Sequence, residues 1–357
     1  MYGMRALLDS GLPLKNKLIL LVGTDEESAN EDVKTYLQTN APPTRTIVVD
    51  ATFPVICAEK GWCGLWLKLP RSQSVQRSTN GFWVTDLQGG FSPSIVPAKA
   101  TATLKPISGS VDEALAELKK RLSQFAEFRH GSTLSFEEIN GSIHVTAQGR
   151  TVHSSVPETG HNALMDLLVF LDRFVKPVTN EIALMAKFGA TYIGLDLHGN
   201  ELGIAHHDEF MGDVTVAGDI FETSRDSVMF MFNFRIPKGI ALSKIESEIK
   251  TRLVEFSSAH GVHFTEKWYL SEPLYNDPND PFIQRLLKIY NGVTGEHQIA
   301  QSMGGGTYAQ RLPNAVVFGP TMAGDEYLGH QPNEHIKLTT LERNIEILTH
   351  TLVEFGL

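Results

Sequence analysis

Residues 18–30, "LILLVGTDEESAN", run an apolar stretch straight into three consecutive acids, Asp25, Glu26 and Glu27. The apolar run 17–23 predicts a buried parallel strand. Residues 28–40 predict the helix that follows it, and 46–55, "TIVVDATFPV", a second apolar strand. Strand, helix, strand with acids at both strand ends is an α/β unit, and such sheets bind ligands outside the carboxyl ends of their strands. If the two strands are neighbours, Glu26, Glu27 and Asp50 converge at one sheet edge. Two readings stay open. Clustered carboxylate oxygens suit a hard or borderline cation, with a neighbouring carboxylate placed to take a proton from water. Alternatively, 25–27 are acids favoured by the dipole at a helix N-terminus.

Working outward, residues 2–13 predict the last turns of an amphipathic helix, with Gly11 just past its end. After about residue 62 the texture changes. Stretches 64–70, 141–149, 190–199, 203–210 and 227–237 predict strands of an antiparallel sheet, with helices at 111–128, 160–175 and 242–261. From about 269 the α/β texture returns, with a helix at 281–295, a strand at 314–320 and a terminal helix at 338–355. The expected organisation is therefore a first α/β part at 1–61, an inserted α+β domain at 62–268 and a second α/β part at 269–357.

The chain has 357 residues, with 41 acidic against 31 Lys and Arg and a formal net charge of −10, which disfavours nucleic acid as a partner. No apolar run is long enough to span a membrane. The opening residues show no basic segment followed by an apolar one. Two cysteines, Cys57 and Cys63, make no disulfide framework and are expected to line a core, so a cytoplasmic protein is expected.

Other groups could carry chemistry. "GRTVHSSVPETGHNAL", 149–164, places His153 in a turn-rich segment, suited to an N-cap or to a substrate. Arg235, near the end of a very apolar strand, must be paired or must bind an anion. "SMGGGTYAQ", 302–310, offers backbone N–H groups to an anion. His330 lies in a Gly/Pro-rich loop and suits either a metal or a surface position. His206 and His207 are adjacent on a strand-like stretch, so they face opposite ways, and a surface role is expected for them.

Taken together, "GTDEES", "VVDATFP…AEKG", "GRTVHSSVPETGHNAL", "NFRIP", "MGGGTYAQ" and "GHQPNEHI" resemble, in this order, the motifs of one family. It is the di-zinc hydrolases of acetylornithine deacetylase, succinyl-diaminopimelate desuccinylase, aminoacylase and carboxypeptidase G, and within it the V-type (Xaa-His, carnosinase-like) dipeptidases. The resemblance implies a zinc-peptidase-like catalytic domain, a mixed sheet with flanking helices, split by an inserted α+β lid. It implies Glu26 as general base, and Glu27, Asp50 and His330 as metal ligands. His153 would stabilise the oxyanion, and Arg235 would grip the substrate α-carboxylate with help from the backbone at Gly305 and Gly306. Asn162 would join the substrate side or cap the helix that follows it. Closure of the lid would bring His153 and Arg235 to the metals.

The chain departs from the family in one place. No His precedes His130, and Asp9 is the only Asp before Asp25, so a His and a bridging Asp of the two-metal site lack counterparts. The expectation is an N-terminally truncated chain holding one Zn²⁺ or none (Mn²⁺ or Co²⁺ being substitutes), with little dipeptidase activity. Two alternatives remain, a non-catalytic peptide-binding remnant and a related N-acyl amino acid deacylase or carboxypeptidase. The enlarged lid implies a monomer.

Overall fold

The structure is a computed structural model that describes residues 1–26, 30–72, 78–125, 131–326, 328–329 and 333–357. The protein is a mixed α/β fold with eight α-helices among the described residues. It divides into two compact units, one of Met1–Lys60 with Pro273–Leu357 and one of Gly61–Glu272.

The unit Gly61–Glu272 is built on an eight-stranded antiparallel sheet. Its order is Thr265–Leu270, Gly61–Pro70, Ser227–Ile236, Thr215–Thr223, Phe82–Gly89, Lys99–Pro106, Ser142–Gln148 and Thr133–Ile139. Leu65, Leu67 and Leu69 alternate inward along Gly61–Pro70, the period-2 signature of a sheet with one buried face. Ser227–Ile236 is buried on both faces, with Phe230, Phe232 and Phe234 on one and Met231, Asn233 and Arg235 on the other. The helices Ala163–Phe170 and Glu181–Tyr192 pack here, and both start at an Asn cap. Asn162 Oδ1 accepts from Met165 N at 3.1 Å, and Asn180 Oδ1 from Ala183 N at 2.8 Å. Gly218 allows this packing, since a Cβ there would lie 2.5 Å from Met165 Sδ and 2.8 Å from the Phe230 ring.

The strand expected at 190–199 is absent. Helix Glu181–Tyr192 runs through its first residues and the chain then turns. A capped, Ala-containing helix propagates into "ATY" more readily than a new strand nucleates.

The other unit holds a small mixed sheet. Thr46–Val48 runs parallel to Ala315–Val317, which meets Ile56–Glu59 antiparallel. Ile56–Glu59 also pairs with Leu274–Tyr275 antiparallel and with Gln301–Met303 parallel. Helices Tyr2–Asp9, Glu31–Thr39, Pro281–Thr294 and Leu338–Gly356 complete it. The first and last are in contact: a Cβ on Gly3 would lie 2.8 Å from Thr349 Oγ1. Gly11 ends the first helix at φ +68, as the sequence predicts.

Two expectations fail in this unit. The run 17–23 is not a strand, and it leaves Ile19 47%, Leu20 50% and Val22 74% exposed. Apolar composition supplies a face to bury but no ladder partner, and among the described residues no strand pairs with it. Residues 46–55 form two short strands, Thr46–Val48 and Ala51–Thr52, with Asp50 in the break between them. Among the described residues no helix is long and apolar enough to cross a membrane.

Candidate active site

In the first unit, the turn that carries Glu26 is fastened by Asp32 and Tyr308. Asp32 Oδ2 accepts from Thr24 N at 2.7 Å, from Asp25 N at 3.2 Å and from Tyr308 Oη at 2.6 Å. The Tyr308 hydroxyl is the main reason why the Asp32 carboxyl is held below its ordinary range. Tyr308 approaches so closely that a Cβ on Gly23 would lie 2.3 Å from its hydroxyl oxygen. Asp25 Oδ2 accepts from Glu31 N at 2.7 Å, so Asp25 supports the helix start, while Asn30 makes no side-chain cap. The triple acid thus divides: its first member serves the helix, and Glu26 follows in a turn held by other groups.

Glu59 is fully buried, and its carboxylate accepts from Thr307 N at 3.1 Å and from Thr307 Oγ1 at 2.7 Å. Burial pushes its carboxyl up to about 8, against the Thr307 bonds, and the charges of Glu26 and Asp50 push the same way. Lys60 N donates to Met303 O at 3.0 Å, and Gln310 Nε2 to Lys60 O at 3.0 Å. The glycine loop with Gly305 and Gly306 is therefore tied at both ends to the strand of Glu59. Sequence reasoning did not single out Glu59, Asp32 or Tyr308. The available signal was "ICAEKG", an acid closing an otherwise apolar strand.

Asp50 opens onto a cavity of about 470 Å³, also lined by Asp325, Glu326, Glu334, His335 and Lys337. Asp325 accepts from Lys337 Nζ at 2.5 Å and from Thr340 Oγ1 at 2.6 Å, which holds its carboxyl below the ordinary range. Glu27 and His330, the other two expected metal ligands, lie outside the described residues. Among the described residues no group of three or more His, Cys, Asp or Glu could hold a metal ion. The donor chemistry of the acids that are described does fit one. Glu26 and Asp50 are oxygen donors whose charges both act on a third carboxyl, a concentration of negative charge that a divalent cation relieves.

In the second unit, His153 sits in a bridge to Ile95. Its Nδ1 accepts from Ser155 N at 3.2 Å and lies 2.7 Å from Ser155 Oγ, so the hydrogen-bond network assigns the ring proton to Nε2. Arg235 closes the central strand and is buried. Its Nε donates to Asn233 Oδ1 at 3.1 Å and its Nη2 to Ser94 Oγ at 3.4 Å. Burial pushes the guanidinium down to about 10, while the Asp219 carboxylate pulls it up. Asn162 caps its helix and also donates from Nδ2 to Gly218 O at 3.0 Å.

Two side expectations are also settled. The His206 ring bonds to Lys238 O at 3.0 Å and the His207 ring to Asp213 at 2.9 Å, which separates the pair. Cys57 and Cys63 are free, buried thiols pushed up to about 11 and about 12 by burial, and they line the core of different units.

Residues 1–354 match Peptidase family M20/M25/M40. The chain belongs to this peptidase family. It is 29% identical over 343 residues to a Staphylococcus haemolyticus protein named "Putative dipeptidase", covering 94% of this chain and 69% of that one. A Staphylococcus aureus protein of the same name is 29% identical over 336 residues, with the same coverage. Among solved structures, aminopeptidase PepT from Bacillus cereus matches with a TM-score of 0.49 at 14% identity, covering 99% of this chain and 68% of that one.

Proposed function

We propose that this member of the family is a metal-dependent dipeptidase of the Xaa-His type, and that the 357-residue chain by itself turns over slowly. The observation that carries the reading is Arg235, a buried guanidinium at a strand end whose bonded partners, Asn233 and Ser94, are neutral. Such a group suits a small ligand with a free carboxylate, and dipeptides have one at the residue next to the scissile bond.

The roles divide between the two units. In the first unit, Glu27, Asp50 and His330 would hold zinc, with manganese or cobalt as substitutes. The metal supplies Lewis-acid polarisation of the scissile carbonyl and a lowered pKa for water. Glu26 takes the proton from the attacking water and delivers it to the leaving amine. The backbone at Gly305 and Gly306 steadies the substrate, positioned by the Glu59–Thr307 bonds. In the second unit, proposed to be the lid, His153 donates from Nε2–H to the developing oxyanion. Arg235 fixes the carboxylate and so measures ligand length, which favours dipeptides over longer peptides. Asn162 keeps its helix cap and steadies the strand beside Asp219. The 357 residues lack counterparts for the second His ligand and the bridging Asp, so a single weakly held zinc is expected, and the chain is expected to be a monomer.

The test is hydrolysis by the purified chain, with added zinc, of L-alanyl-L-histidine, an N-acetyl amino acid and a tripeptide. Slow release of histidine from the dipeptide, stopped by chelator and by Glu26→Gln, is the expected result. Preferred cleavage of the N-acetyl amino acid would make the chain a deacylase. Dipeptide binding with no hydrolysis at any zinc concentration would make it a peptide-binding remnant.

A further inference from the structure

Asp219 lies on the strand Thr215–Thr223 and is completely buried, yet it has no place in the chemistry above. Its Oδ2 accepts from Ser154 Oγ at 2.8 Å, and its Oδ1 has no hydrogen-bond partner among the described residues. A buried carboxyl group with one bare oxygen is a costly way to hold a hydroxyl. Its surroundings show what it holds. Ser154 is also fully buried and directly follows His153. Ser154 N donates to Ser94 O at 2.9 Å, and Ser94 Oγ is the acceptor for Arg235 Nη2. Asn233, which takes the Arg235 Nε–H, donates in turn to Pro93 O. The backbone at Asp219 is fixed as well. Gly90, at φ +73, lies so close that a Cβ there would sit 1.7 Å from Asp219 O, and Asn162 bonds the preceding carbonyl, that of Gly218. Asp219 is thus a rigid anchor at the back of the short turn that presents the His153 ring.

We propose that Asp219 is a positioning residue for His153, acting through Ser154 Oγ; the catalytic benefit of this placement rests on the dipeptidase reading. The Asp219–Ser154 bond fixes the turn 153–155, and Ser155 then sets the ring tautomer that leaves the proton on Nε2.

The test uses the full 357-residue protein and three variants, Asp219→Ala, Ser154→Ala and Asp219→Asn. The ¹⁵N resonances of the His153 imidazole report tautomer and placement, and thermal unfolding reports stability separately. Asp219→Ala and Ser154→Ala are expected to shift the His153 resonances together. Asp219→Asn keeps an oxygen for Ser154 and should restore them. In the zinc-supplied dipeptide assay the first two should lower kcat about tenfold at unchanged KM, as loss of an interaction made in the transition state does. Resonances that stay in place in Ser154→Ala, or that move as far in Asp219→Asn as in Asp219→Ala, would overturn the proposal. Should Asp219→Ala fail to fold, Ser154→Ala decides. If the unaltered protein neither binds nor cleaves L-alanyl-L-histidine, the dipeptidase reading falls, while the His153 resonances still decide the role of Asp219.

Discussion

The two units solve the same problem with different means. In Gly61–Glu272, ten-residue strands such as Ser227–Ile236 have neighbours on both sides, and the core is a continuous cluster of Phe, Leu and Val. In the other unit the sheet strands are two to four residues long, and an apolar run stands at 17–23 outside any strand. The long sheet gives its unit a deep interior, and there the buried Arg235 and Asp219 are held by side chains of the sheet and its edge loops. The short sheet gives little depth. Its acids are held by turns and by tethers such as Asp32–Tyr308 and Glu59–Thr307. The polar groups of the long sheet are thereby enclosed by packing, and the acids of the short one are held by hydrogen bonds.

This contrast can be broken by mutation, starting with the largest effect. Phe230→Ala in the central strand should cost about 3–5 kcal/mol in denaturant unfolding, because it empties a fully buried site ringed by Phe221 and Phe232. Arg235→Met should weaken dipeptide binding by about thirtyfold or more in calorimetry and leave binding of the C-terminal amide almost unchanged. Glu59→Ala should cost about 1–3 kcal/mol, since the Thr307 N–H and hydroxyl lose their acceptor.

Glu59 also gives the acidic unit a pH signature, best measured with chelator present. Its proton leaves the unfolded chain near 4.5 but stays in the fold up to about 8. The contribution is therefore complete below about 4.5 and is lost as pH rises towards 8. Glu59→Gln should flatten that slope in thermal unfolding. Smallest of all, Val22→Ser should change stability by no more than about 0.5 kcal/mol, because the side chain is 74% exposed. A large loss there would show that the run 17–23 is buried after all.

What the sequence made legible follows the range of the forces involved. Helix limits are local, and Asn162, Asp280 and Gly295 punctuate the helices Ala163–Phe170 and Pro281–Thr294 where turn chemistry puts them. Strand pairing is not local. The run 17–23 and the stretch 190–199 have strand-like composition, but a ladder partner or a competing helix decides such cases. The same holds for the site. Glu26, Asp50, His153 and Arg235 stand out because acids, His and Arg interrupt apolar or glycine-rich stretches in recognisable motifs. Glu59 and Asp219 were missed because an acid in a strand looks solvent-facing until the neighbours on both of its sides are known. Glu27 and His330 lie outside the described residues.

The proposal that this chain is a metal-dependent dipeptidase is tested most directly by a zinc titration. Bound zinc and histidine release from L-alanyl-L-histidine would be followed in the same samples of the 357-residue protein. At most one zinc per chain, with slow release that rises with zinc and stops on chelation, is the expected result. Two tightly held zincs with rapid turnover, or release indifferent to zinc, would contradict it.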